Sequence, residues 1–471
     1  MLKKSLVIMS ISAAFFVQAQ DVSLIRNTLD VYSNSQIGGS ARFNAMGGSN
    51  GALGGDANAL LTNPAGLGVA ISGEVSGTLS VMSNKNTSNY AGSSFGYKVN
   101  NADLGNVGGV MTFQLMTESA WKFVNIGVNF SNQSIDNYIE TPGNSNIVFD
   151  FDANNSSALA RHAYDRYGTL SKTSFGVGAN YNHNLYIGMG LNFSNVSLDQ
   201  SDTAALQSLQ NGSVDYLSKQ NTPYFERSSG FSASVGVIGK LGRNFRLGAA
   251  IETPTFWDID RSYNFYNDPQ FGDDYAVENR RLTSPMKATL SAAFVANKNF
   301  SMNLDYTLGL TKPSYKVYGG AERQLNDFFD QNQRSLSEVK LGAEYRVKQF
   351  RLRGGYSYTA SPFDALTVSR YGANGTSGDP VDQSYNNMIL GDRNALSFGL
   401  GYDFKSFYID ATFQNISSTF NNPLLFGVID QTEGIEDGYY SPSRLISSSE
   451  YVVSDVKNVI NNFYVTFGWK F

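Results

Sequence analysis

"NFYVTFGWKF", Asn462 to Phe471, decides the architecture. Phe463, Val465, Phe467, Trp469 and Phe471 share one parity, and Tyr464, Thr466, Gly468 and Lys470 share the other. Successive side chains of a strand point to opposite faces, so this stretch is a strand with one apolar face and one polar or small face. "NFSMNLDYTLGL" repeats the pattern. Phe300, Met302, Leu304, Tyr306, Leu308 and Leu310 alternate with Ser301, Asn303, Asp305 and Thr307. "SEVKLGAEYRV" repeats it again, with Val339, Leu341, Ala343 and Tyr345 against Glu338, Lys340, Glu344 and Arg346.

Fourteen such segments follow one another: 71–83, 105–117, 121–132, 171–182, 184–198, 228–241, 244–259, 284–297, 299–313, 334–347, 349–360, 394–405, 406–418 and 460–471. The connections alternate strictly between short and long. The short ones fall at Glu118–Ala120, His183, Gly242–Arg243, Lys298, Gln349 and Lys405–Ser406. The long ones are 84–104, 133–170, 199–227, 260–283, 314–333, 361–393 and 419–459. A soluble sandwich has no cause to sort its loops this way. An outer-membrane barrel does, with short periplasmic turns, long extracellular loops and an even number of strands. The expected fold is therefore all-β, a 14-stranded antiparallel transmembrane β-barrel with both termini periplasmic.

Lipid dictates the facing. A charge at the bilayer midplane costs about 2–4 kcal/mol, so the apolar set turns outward. Asp305, Glu338, Lys340, Glu344, Arg351, Arg353 and Asp410 turn into the lumen. Closure satisfies every backbone donor and acceptor, which lipid cannot do.

Composition agrees. Of 471 residues, 46 are Gly, 27 Tyr and 32 Phe, and only 16% are charged. Cysteine is absent and there are two histidines, which leaves no disulfide framework, no cofactor chemistry based on thiolates and no His-rich metal site. Lys3 and Lys4, then "SLVIMSISAAFF" and "VQA", have the layout of an export signal cleaved after Ala19. Loss of Lys3 and Lys4 takes the net charge from −5 to −7, and with no basic run nucleic acid is excluded as a partner. No apolar run of 18 residues remains to form a membrane helix.

Residues 20–70 precede the first strand. They are too polar to span a membrane, and fourteen strands enclose a lumen that leaks unless filled. The expected role is a plug inside the barrel, giving the division 1–19 signal peptide, 20–70 plug, 71–471 barrel. Gly54 and Gly55 permit tight turns. Asp56 is placed to cap a short helix over Ala57–Leu61, and Pro64 to end it, with Asn63-Pro64 as a turn.

"ARFNAMGGSNGALGGDANALLTNPAGLG", Ala41 to Gly68, resembles the N-terminal hatch of the FadL/OmpP1/TodX family of outer-membrane transporters. The features are "AMGGSNGALGGDA" followed by "NPAG". The family's Asn-Pro-Ala motif maps onto Asn63, Pro64 and Ala65. The resemblance implies passive uptake of long-chain fatty acids or other hydrophobic compounds, a hatch that moves, and a monomeric barrel in contact with lipid and lipopolysaccharide. It also implies lateral exit at a kinked third strand, which puts Gly127 of "WKFVNIGVNFSN" at a potential bend. A FadL-like barrel also serves the type IX secretion system of Bacteroidetes, which is the alternative. Phe256, Trp257, Phe265 and Tyr266 lie near the mouth and are the expected capture surface for an apolar ligand. Arg246, Arg351 and Arg353 suit a ligand carboxylate or, more simply, ion pairs with Glu338, Glu344 or Asp56. With no nucleophile–base pairing in view, no enzyme is expected.

Overall fold

The computed structural model describes residues 22–34, 38–116, 118–152, 155–219, 222–266, 273–370, 381–424, 428–430, 439–441 and 452–471. The expected signal peptide lies outside them. Fourteen strands make one closed antiparallel ring. They are β1 (Glu74–Tyr90), β2 (Ser93–Gln114), β3 (Trp121–Ser134), β4 (Asn155–Tyr181), β5 (Leu185–Ser208), β6 (Tyr224–Leu241) and β7 (Phe245–Glu252). Then come β8 (Lys287–Val295), β9 (Phe300–Gly309), β10 (Ser337–Val347), β11 (Phe350–Thr359), β12 (Arg393–Asp403), β13 (Phe407–Pro423) and β14 (Val453–Lys470). Each of the fourteen expected segments overlaps one of them, although 105–117 and 171–182 cover less than half of β2 and β4. β14 pairs back onto β1, from Glu74↔Lys470 to Asn89↔Asp455, and leaves the ring without an edge.

The facing follows the lipid argument. Trp469 is 53% exposed and Thr466 is 0% exposed, three residues apart on one strand. Met302, Leu304 and Tyr306 face outward, while Asn303 and Asp305 are buried in the lumen. This outward apolar belt on a closed sheet defines a transmembrane β-barrel.

One expectation needs correction. The long connections are not mostly loops. β1 and β2 remain paired up to Tyr90↔Ser93, so Ala91-Gly92 is the whole turn of the expected connection 84–104. β4 runs 27 residues, and its upper half pairs with Asn137–Asp152. The sheet thus continues well past the 9–11 residues a bilayer requires. Polar residues on both faces hide such a strand from an apolar-periodicity reading. Among the described residues the one long helix, α1 (Gly320–Asn332), buries Leu325, Phe328 and Phe329 against the same end.

Candidate functional site: the barrel interior

The N-terminal segment folds within the ring in two parts. The part near the short turns is 38–70. Ser40 caps Ala41–Ala45, accepting from the Phe43 N–H at 3.3 Å. Asp56 caps the 3-10 turn Ala57–Leu61 as expected, accepting from the Asn58 N–H at 3.0 Å. Pro64 does more than end that turn. It starts a second one, Pro64–Val69, whose cap is Asn63, accepting from the Ala65 N–H at 3.1 Å. Proline suits a first helical position because its missing N–H would have no partner there. Gly54 has a φ of +61°, and a Cβ on it would lie 2.4 Å from the Gly66 Cα. The adjacent Gly55 N–H donates to the Gly66 carbonyl at 2.9 Å and closes the fold on itself.

The wall holds this part through polar groups of the lumen. Asn63 Nδ2 donates to the carbonyls of Gly51 (2.8 Å) and of Val237 on β6 (3.1 Å). Asn125 of β3 donates to the Leu67 and Ala70 carbonyls at 2.7 and 2.8 Å. Asp305 of β9 accepts from the N–H groups of Asn50 and Gly51 at 2.9 and 3.0 Å. The Ala41 N–H donates to Thr466, and Thr412 donates to the Ala41 carbonyl. Wall glycines supply the clearance. A Cβ at Gly236 would lie 1.9 Å from Asn63 Oδ1, and one at Gly188 would lie 2.4 Å from the Pro64 carbonyl carbon. The signal for these contacts was present as lumen-parity glycines on neighbouring strands: Gly176 and Gly178, then Gly188 and Gly190.

Gly127 is not a bend. β3 pairs without interruption with β2 from Asn106↔Ser131 to Gln114↔Phe123. It pairs with β4 from Phe123↔Asn180 to Ser134↔Thr169. The glycine instead makes room for Leu67, which packs on it.

The lumen arginines are paired. Arg353 meets Glu344 and Asp410, each at 2.6 Å, and Arg351 meets Asp403 and, at 3.2 Å, Glu344. Arg246 donates to the Leu53 carbonyl at 3.2 Å. From the segment, Arg42 reaches Asp56 at 3.4 Å and Glu344 at 3.7 Å. Burial works against its charge, but Glu344 and Asp56 more than offset this and hold its pKa above the ordinary guanidinium value.

The second part, 22–33, lies at the far end, where the hairpins extend. Leu24, Ile25, Leu29, Val31 and Tyr32 are buried in one cluster with Trp257, Phe328, Phe329 and Phe363. Tyr32 meets Trp257 edge-on at 5.1 Å, and its hydroxyl donates to Glu226 at 2.8 Å. Arg166 binds Asn27 at 2.8 Å and Asp30 at 2.6 Å, and Arg393 reaches Asp30 at 3.4 Å. Burial alone would raise the Asp30 carboxyl, yet Arg166 and Arg393 hold it below the usual value.

Of the four expected capture aromatics, Phe256 and Trp257 face opposite sides of the wall. Trp257 is 5% exposed and faces inward, whereas Phe256 is 57% exposed on the outer face. Phe265 and Tyr266 end the same strand, Phe256–Tyr266, and their side chains lie outside the described residues. Sequence reasoning missed the groups that do cover Trp257. They come from the chain's own N-terminus.

Between the two parts lies a cavity of about 330 Å³, within the range of small-ligand pockets. Leu29 lines it from one side, and Phe43 and Leu60 from the other. The wall contributes Glu252, Lys287 and Glu338. Both histidines lie elsewhere: His162 pairs with Asp202 at 2.9 Å, and the His183 N–H is bound by Asn180 in a turn. Among the described residues no cluster suits a metal ion.

A closed, lipid-facing barrel with an internal segment and an internal cavity is thus the class of protein in hand, a barrel of the outer-membrane type. Its fold is that of the hydrophobic-compound channels. Over 93% of this chain it matches 99% of a Pseudomonas aeruginosa FadL homologue, with a TM-score of 0.57 at 13% identity. Over 94% of the chain it matches 99% of the P. putida toluene transporter TodX, at 0.54 and 14%. The Ralstonia pickettii toluene transporter TbuX matches at 0.51 and 14%, over 92% and 99%. No family model and no curated protein matches the sequence.

Proposed function

We propose that this protein is a passive transporter that takes up hydrophobic compounds, among them long-chain fatty acids, through a Gram-negative outer membrane. One observation carries the reading. A cavity of small-ligand size inside the barrel is bordered by both parts of one N-terminal segment. Residues 20–70 act as the hatch, residues 1–19 as the export signal. The extended hairpins face outward from the cell, and both termini face the periplasm. Asn63, Pro64 and Ala65, with Gly54, Gly55 and Asp56, form the hatch element that must shift. Passage of an apolar molecule needs no energy source, because transfer from water into an apolar phase is itself downhill.

The test is mass spectrometry of apolar molecules retained by the detergent-purified barrel, compared with an Asn63→Ala/Pro64→Gly variant. A lipophile held by the wild type and altered in the variant supports hatch-gated uptake. An empty chamber in both, with a co-purifying protein, overturns it in favour of a secretion subunit.

A further inference from the structure

β3 keeps unbroken ladders from Phe123 to Ser131 on one side and from Phe123 to Ser134 on the other, and the wall is interrupted elsewhere. β7 and the strand Phe256–Tyr266 are separated by Thr253-Pro254-Thr255; Asp273–Thr283 and β8 are separated by Ser284-Pro285-Met286. The pairing keeps one register on both sides of the break, Glu252↔Lys287 below and Phe256↔Thr283 above. Pro254 and Pro285 therefore stand opposite each other, and neither has an N–H to donate.

Both strands also exchange faces there. Below the break Leu247 and Ile251 point outward, and above it Phe256 and Asp258 do. On the partner, Arg281 is outward above, and Leu290 and Ala292 are outward below. A strand that keeps its pleat cannot do this. Hydrogen bonding follows the exchange. Within the break the Ser284 N–H donates to the Thr255 carbonyl at 3.0 Å. The Thr253 N–H instead turns to Ala233 of β6, and the Met286 carbonyl accepts from Leu310. The interval is three residues of each strand, about 10 Å of wall.

The chamber reaches this interval, since Glu252, Pro285, Lys287 and Thr289 all line it. On the outer side the interval is bordered by exposed Ile251, Phe256 and Leu290. We infer that the paired-proline break is a port through which an alkyl chain or an aromatic ring passes between the chamber and the surrounding bilayer. The inference rests on the transport reading for its purpose, but the port itself is a property of the wall. Little ladder has to part there, whereas opening either seam of β3 parts a run of consecutive pairs.

The native chain has no cysteine, so single thiols report cleanly. Thr289→Cys is placed in the folded barrel in vesicles, and a long-chain alkyl maleimide dissolved in the bilayer is the probe. Labelling is expected, at least tenfold slower when Pro254→Thr/Pro285→Thr restores both donors. No labelling, or equal rates in both barrels, overturns the port. A second variant guards against misfolding: Thr253→Cys/Met286→Cys, cross-linked by oxidation, is expected to slow lipophile transfer tenfold, reversibly on reduction. The Met111→Cys/Ile126→Cys cross-link between β2 and β3 is expected to leave transfer unchanged, and slowing by that pair alone overturns the port. Labelling that persists in a barrel showing no uptake removes the transport reading and keeps the port.

Discussion

Leu67 occupies the space that a side chain at position 127 would take: a Cβ on Gly127 would lie 2.5 Å from Leu67 Cδ2. Wall and segment are fitted to each other at this point. Gly127→Val must push Leu67 away, an overpacking cost of about 1–3 kcal/mol. The expected outcome is higher single-channel conductance in a planar bilayer, because 38–70 no longer seats. Gly77→Val, where an added Cβ meets nothing within 4 Å, is expected to conduct like the wild type.

Asn63 acts twice, as cap acceptor for the Ala65 N–H and as donor to two carbonyls. Asn63→Ala loses the cap, about 1–2 kcal/mol, and leaves the Gly51 and Val237 carbonyls without that donor. Asn63→Asp keeps the cap and still loses the donor. Both variants are expected to expose 38–70 to added protease while the barrel stays resistant. Protection of the segment in Asn63→Asp would show that the cap alone matters.

Arg353 neutralises Glu344 and Asp410 deep in the lumen. Arg353→Met leaves buried carboxylates short of a partner and is expected to cost about 3–5 kcal/mol. Adding Asp410→Leu should return part of the loss, since a buried charge is removed with its partner. Denaturant unfolding in detergent micelles measures both.

Asp30 gives the far part of the segment a pH dependence. Its folded pKa lies below the unfolded 3.8, because Arg166 and Arg393 outweigh burial. A depressed carboxyl contributes stability that is complete above the unfolded value and is lost as pH falls through the folded one. Residues 22–33 are therefore expected to stay seated down to about pH 4 and to loosen below it. Tryptophan fluorescence of Trp257, which Tyr32 covers, follows the change, and Asp30→Asn should be loosened already at pH 7.

The barrel was legible because lipid demands an apolar face at every second position, as on Phe463, Val465 and Phe467. Beyond the bilayer that demand ends, and the ladder from Asn84 to Tyr90 read as loop. The cap at Asp56 was readable from local chemistry, whereas Asn63-Pro64 read as a turn and proved to supply a second cap. The burial of Leu24, Ile25 and Leu29 under Trp257 was not, since it joins residues more than two hundred positions apart. The break at Pro254 was present as a change of phase, odd at Phe245, Leu247 and Ile251 and even at Phe256. A span of 244–259 reads across it.

The 27 residues of β4 measure about 90 Å of extended chain, far more than a membrane crossing consumes. Among the described residues, what continues past the membrane crossing is thus a hydrogen-bonded tower rather than a fringe of tethers. On the proposed uptake, a sparingly soluble molecule that touches such a tower need not search three dimensions for an entrance. It can creep along a fixed surface, and its arrival is then set by the stickiness of that surface more than by its concentration in water.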